Sequence, residues 1–188
     1  MTRLVLASFL LAAISLPACG SDPVSYSAPV GIELKAKSGD APQGVIAEQK
    51  DITTESGNPY GAFVTDARTK LGGTDPGSIQ LDSLTLTLGG QTTGVTGLEE
   101  IFTGPVDVQF LMNTSNNTYA VGSITDPAGA GPDEVSVSFD DTQVGGDDWT
   151  ALLGGQFKIV LRGAAADGFT TKGADASLEL AFSFSAFQ

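Results

Sequence analysis

The chain has 188 residues, a formal charge of −13, 16% charged residues, 24 glycines, one cysteine and no histidine. Without histidine there is no Ser-His-Asp or Cys-His catalysis and no His-ligated zinc, and one cysteine excludes internal disulfides and thiol clusters. The strong negative charge repels phosphates and sets aside a nucleic-acid partner.

Arg3 is the only charge before a run from Leu4 to Leu16 that is apolar apart from Ser8 and Ser15. A run of that length suits the core of an export signal and falls short of the roughly 20 residues a membrane-spanning helix needs. It closes on Leu16-Pro17-Ala18-Cys19. This resembles the bacterial lipobox, a small-residue cleavage site placed directly before a cysteine. The resemblance implies cleavage after Ala18, a diacylglyceryl group on the Cys19 sulfur and acylation of the new amino group. Two or three acyl chains anchor firmly where one alone holds only marginally. Residues 1–18 are thus expected to be a signal peptide, and losing Arg3 with it would take the mature chain from −13 to −14. Gly20 follows the cysteine where inner-membrane lipoproteins often carry Asp, so the resemblance points to a lipid anchor in the outer membrane. Residues 19–29, broken by Pro23 and Pro29, read as the lipidated cysteine and a polar tether.

From residue 30 onward the dominant signal is strict alternation, which a strand produces by sending every second side chain to one face. Val30, Ile32, Leu34 and Ala36 alternate with Gly31, Glu33 and Lys35. Val45 to Ile52 is ambiguous between strand and helix. A helix is expected over 59–71: Asn58 can cap it, Pro59 suits its first turn, and Tyr60, Phe63, Val64, Ala67 and Leu71 share a face before Gly72-Gly73 ends it. Ile79-Leu81 and Leu84-Leu86-Leu88 change parity, which a β-bulge near Asp82-Ser83 would repair. Val106 to Met112 alternates, and Asn116-Asn117 then offers a hairpin turn into a strand from Thr118 to Ile124. Val135, Val137 and Phe139 form another inward set, as do Phe157, Ile159 and Leu161. Leu178, Leu180, Phe182, Phe184 and Ala186 form the longest. Leu98 to Phe102 and Asp148 to Leu153 each suit a helical turn over an end of the sheets. Seven or eight short strands with little helix predict an all-β, antiparallel two-sheet β-sandwich of immunoglobulin-like size over residues 30–188.

Three features carry candidate chemistry. Asp140-Asp141 and Asp147-Asp148 flank a short loop, with Asp126, Asp133 and Glu134 before it. Clustered carboxylates can supply calcium's six to eight oxygens, although Gln143 and Gly145 break the EF-hand pattern and turn aspartates also serve as local caps. Trp149 is the sole tryptophan, and it reads either as a stacking surface for a sugar or as a plug over one end of the core. Ser83, Thr85 and Thr87, Ser136 and Ser138, and Ala181, Ser183 and Ser185 trace strand faces with few of the charges that guard exposed sheets.

Asn113-Thr114-Ser115 and Asn116-Asn117-Thr118 match the glycosylation pattern but read as a turn. A membrane barrel would need two aromatic girdles, which three tyrosines and one tryptophan do not furnish. The expected function is non-catalytic: an envelope lipoprotein held to the membrane through Cys19, docking on another envelope protein through Ser183 and Ser185. A calcium- or carbohydrate-binding module is the alternative, and a carboxylate-dependent hydrolase comes third.

Overall fold

A computed structural model describes residues 24–54 and 57–188. The expected signal peptide and Cys19 lie outside the described residues. The fold is the expected sandwich of two antiparallel sheets. One sheet has the order β1-β9-β3-β6, formed by Ser25–Lys37, Asp175–Phe187, Ser78–Leu88 and Asp133–Glu134. The other has the order β2-β8-β4-β5-β7, formed by Val45–Ile52, Phe157–Ala165, Phe102–Met112, Thr118–Ile124 and Ser136–Val137. Two helices, α1 (Pro59–Lys70) and α2 (Gly146–Leu153), complete it.

The C-terminal strand organises the first sheet. β9 pairs with β1 from Ser25↔Phe187 to Lys37↔Asp175 and with β3 on its other side. Its inward residues Leu178, Leu180, Phe182, Phe184 and Ala186 are all buried, as are Phe157, Ile159 and Leu161 of β8 opposite. The bulge in β3 falls between Leu81 and Ser83 and restores the inward face at Leu84 and Leu86. The hairpin after Met112 turns at Asn116, whose φ of 60° is a left-handed conformation that Asn tolerates. Val45–Ile52 is a strand, because β8 supplies a ladder for it throughout.

Two expectations are corrected. β1 begins at Ser25 and pairs from its first residue, so the stretch to Pro29 read as tether is sheet from Ser25 onward. Alternation in Ser25–Pro29 is hidden because its inward residues, Tyr26 and Ala28, are a hydroxylated aromatic and a small side chain. The expected strand over Val135–Phe139 is also divided. Glu134 pairs with Thr85 in one sheet, Val135 N–H donates to Leu84 O at 2.9 Å, and Ser136 and Val137 pair with β5 in the other. The chain crosses between sheets at the buried Val135, which leaves Val137 exposed rather than inward. Gly122 is required at this crossing, since a Cβ there would lie 2.6 Å from Ser136 O.

That crossing closes one side of the sandwich. On the other side, helix α1 packs on β1 between the edges of the two sheets. Asn58 caps it by accepting from Tyr60 N–H at 3.0 Å, and Gly72 and Gly73 end it at φ of 80° and 88°. Its buried face enters an aromatic cluster that joins both sheets. Tyr60 meets Phe157 edge-on at 5.1 Å and Phe184 at 5.6 Å, Phe110 meets Phe157 at 5.0 Å, and Phe182 stacks on Phe184 at 5.5 Å.

Two predictions follow from this packing. Phe182→Ala should cost about 3–5 kcal/mol in chemical denaturation, as large-to-small aromatic changes in a dense core do; a cost under about 1 kcal/mol would place the side chain outside the core. The Tyr60 hydroxyl is buried and finds no hydrogen-bond partner among the described residues. Tyr60→Phe should therefore be neutral or stabilise by about 1 kcal/mol, whereas a comparable loss would show that the hydroxyl is bonded.

Candidate functional site

Strand directions give the sandwich two distinct ends. Ser25, Ile52, Ser78, Met112, Phe157 and Phe187 lie at one, here the near end, where β1 begins. Lys37, Leu88, Phe102, Ile124 and Asp175 lie at the far end. The acidic residues that are close in sequence are divided between these ends. Asp140, Asp141, Asp147 and Asp148 follow β7 at the near end, and Asp126 follows β5 at the far end.

Each of the near-end aspartates is placed by its own surroundings. Asp140 accepts from Thr142 N–H at 3.1 Å, Thr142 Oγ1 at 2.6 Å and Gln143 Nε2 at 2.9 Å, and these bonds, the threonine hydroxyl foremost, lower its pKa. Asp141 Oδ2 accepts from Ile79 N–H at 2.9 Å and ties the loop to the start of β3. Asp147 is exposed in the first turn of α2, where a negative charge complements the helix dipole. Asp148 is buried, and its Oδ2 accepts from Asn117 Nδ2 and Tyr119 Oη, both at 2.7 Å. The Ser115 hydroxyl, then Asn117 and Tyr119, hold its carboxyl below the usual aspartate range.

The expected calcium set is thus dispersed. Its carboxylates act as caps and loop pins, and among the described residues no group of three or more acidic or thiol side chains could hold a metal ion. Trp149 is half-buried against the core and lines a surface pocket of about 370 Å³ with Gly77, Ser78, Asp141 and Val144. Tyr60 is buried and the Tyr119 hydroxyl is engaged by Asp148, so the aromatic residues do not line up as a sugar platform.

The serine face needs a correction. Ser183 and Ser185 were expected to lie open on the outer side of β9, but Ser183 is half-buried and Ser185 is buried at 6% exposure. β9 is an inner strand, and the bulge in β3 turns the Asp82 carboxylate over it. Ser185 Oγ donates to Asp82 Oδ2 and lies 2.6 Å from Ser27 Oγ. Alternation correctly assigns the outward direction but cannot show the neighbour that covers it.

The far end holds a depression of about 460 Å³, with Glu99, Glu100, Asp126, Asp167 and Lys172 in its lining. Glu100 pairs with Lys172 and accepts from Thr96 N–H at 3.0 Å and Thr96 Oγ1 at 2.9 Å. The Lys172 hydrogen bond contributes most and holds the Glu100 pKa at about 2. Glu99 Oε2 accepts from Gly129 N–H at 2.6 Å and fastens two far-end loops together. Asp126 and Asp167 are exposed. Sequence reasoning did not find this depression, because its carboxylates come from three loops that only the sheet topology brings together. It can hold a positively charged group beside Glu100, which is ionised at neutral pH. It does not raise the Glu100 pKa as a catalytic acid needs.

The chain matches no known protein family, curated protein or solved structure.

The Asp148 network has a testable pH signature. The native carboxyl titrates below the ordinary 3.8, so its stabilisation is complete above that value and is lost as pH falls through the native pKa. Asp148→Asn should lower the melting temperature at neutral pH, since one amide oxygen replaces an ionised acceptor of two donors. The gap to wild type should narrow in acid. A gap of the same size well below pH 3.8 would mean that the carboxylate charge contributes nothing.

Proposed function

We propose that this chain is a non-catalytic outer-membrane lipoprotein, anchored through Cys19, whose sandwich docks on another envelope protein with its far end. The observation that carries this reading is the polarity of the fold. The first strand begins at the near end, next to the lipobox-like sequence, and the open acidic depression lies at the opposite end. An anchored sandwich would therefore present Asp126 and Asp167 away from the lipid.

The hydroxyl face of β9 is the weaker surface for docking, since Ser185 is covered by its neighbours. Electrostatics also favours the far end, because exposed carboxylates steer and orient a partner carrying Lys or Arg. The hydrolase reading loses support from the lowered Glu100 pKa.

The test uses the full-length protein in its envelope. Cys19→Ser should abolish incorporation of radiolabelled palmitate and release the protein or leave it as precursor; palmitate in the mutant would refute the anchor. Asp126→Lys with Asp167→Lys should keep the label and shift the melting temperature by no more than about 2 °C, as exposed substitutions in a domain of this size do. The double mutant should lose a partner that wild type captures by cross-linking. The same captured set in both proteins would refute far-end docking.

A further inference from the structure

We infer that the near-end rim formed by Val24, Phe187 and Trp149 rests on the surface of a zwitterionic phospholipid bilayer and seats the sandwich there. This rests on the anchored reading above. Cys19 and Ser25 are six residue steps apart, which fully extended reach about 20 Å. β9, with 13 residues, makes the sandwich about 43 Å long at the usual rise per residue. The tether is shorter than half the domain it holds, so the near end stays within about 20 Å of the lipid however the domain turns.

The rim has the composition of a lipid-contacting surface. Val24, at 49% exposure, is one of two large apolar side chains exposed among the described residues, and it is the one nearest the anchor. Gln188 N–H donates to Val24 O at 3.3 Å, which ties it to the end of β9. Phe187 points outward and is partly exposed, flanked in the sheet by Ser25 and Ser78. Gly77 N–H donates to Phe187 O at 2.9 Å, and Gly77 and Ser78 in turn border Trp149. The rim residues are thus linked across β1, β9, β3 and α2 through Gln188, Gly77 and Ser78, with Asp141 and Thr142 also bordering Trp149.

Aromatic side chains favour the boundary between headgroups and acyl chains. The apolar area is small, but the anchor makes contact intramolecular, so even weak intrinsic adhesion is sufficient. Charge selects the lipid. Asp141 borders Trp149 and Asp147 is exposed in the first turn of the helix that carries Trp149, so an anionic surface would be repelled.

Trp149 is the only tryptophan and reports directly on the contact. The lipidated full-length protein is reconstituted in phosphatidylcholine vesicles, with and without bromine on the acyl chains near the headgroup. Brominated lipid should quench Trp149 emission, and acrylamide should quench it less than in detergent micelles. Val24→Ser with Phe187→Ser should reduce the bromolipid quenching while the protein stays with the vesicles, and replacing part of the lipid by phosphatidylglycerol should reduce it as well. Vesicle-bound protein whose Trp149 is untouched by brominated lipid would overturn the seated rim and leave the anchor standing. Quenching that grows with phosphatidylglycerol would overturn the zwitterionic assignment. Protein whose mass shows no acyl chains and which separates from the vesicles would overturn the anchor and this inference together.

Discussion

The rest of the structure depends on one chain of aromatic contacts through the middle of the sandwich. Phe110 and Phe157 belong to one sheet and Phe182 and Phe184 to the other, and Phe110 lies 6.4 Å from Phe182 across the interface. Tyr60 and Phe63 bring α1 into the same cluster, and Tyr26 stacks on Phe63 at 6.0 Å. With no disulfide available, the two sheets are joined by this packing and by the crossing at Val135, and aromatic rings supply the largest buried area per residue. The cluster lies toward the near end, where Met112, Phe157 and Phe184 are buried. The same core extends to the far end, where Val95, Leu98, Ile101 and Phe169 from its loops close it. Those loops need their own pins, which explains why Glu99 and Glu100 are engaged by Gly129, Thr96 and Lys172.

The strands that build this core were legible in the sequence because their solvent faces are polar and their inner faces apolar without interruption. The bulge at Asp82-Ser83 could also be read, since a parity change within an apolar run has few other solutions. Val135–Phe139 could not be read correctly. A segment that changes sheets halfway keeps its apolar spacing but turns Val137 outward while Phe139 still packs on Phe110, and only the partners Leu84 and Val121 reveal the crossing. The same limit applied to function. Single residues such as Ser185 were given the right direction but the wrong exposure, because burial on an inner strand is set by neighbours that are distant in sequence, such as Ser27 and Asp82.

The acidic residues make the point most sharply. As a string, Asp126 to Asp148 looks like one cluster; in the fold it spans the length of the sandwich. The near-end aspartates are used to fasten loops, and Asp148 in particular accepts two hydrogen bonds from inside the domain. The far-end group, which was not legible, joins Glu99 and Asp167 across 68 positions of sequence. Proximity in sequence over-predicted a site at one end and missed a depression at the other.

Charge and tether length together set how such a domain behaves at a surface. The screening length at physiological salt is about 8 Å, less than half the roughly 20 Å reach from Cys19 to Ser25. On the anchored reading proposed above, the charge of −14 left after loss of Arg3 would be hidden from the lipid over most of that reach, and the domain would turn freely on its anchor. Repulsion would act only once the near end is within a few ångströms of the headgroups, where Asp141 and Asp147 would come into range together with Trp149. On that reading the carboxylates would not decide whether the sandwich approaches the bilayer. They would decide on which lipids the apolar rim can settle, and settling there would turn a freely rotating head into one with a fixed outward face.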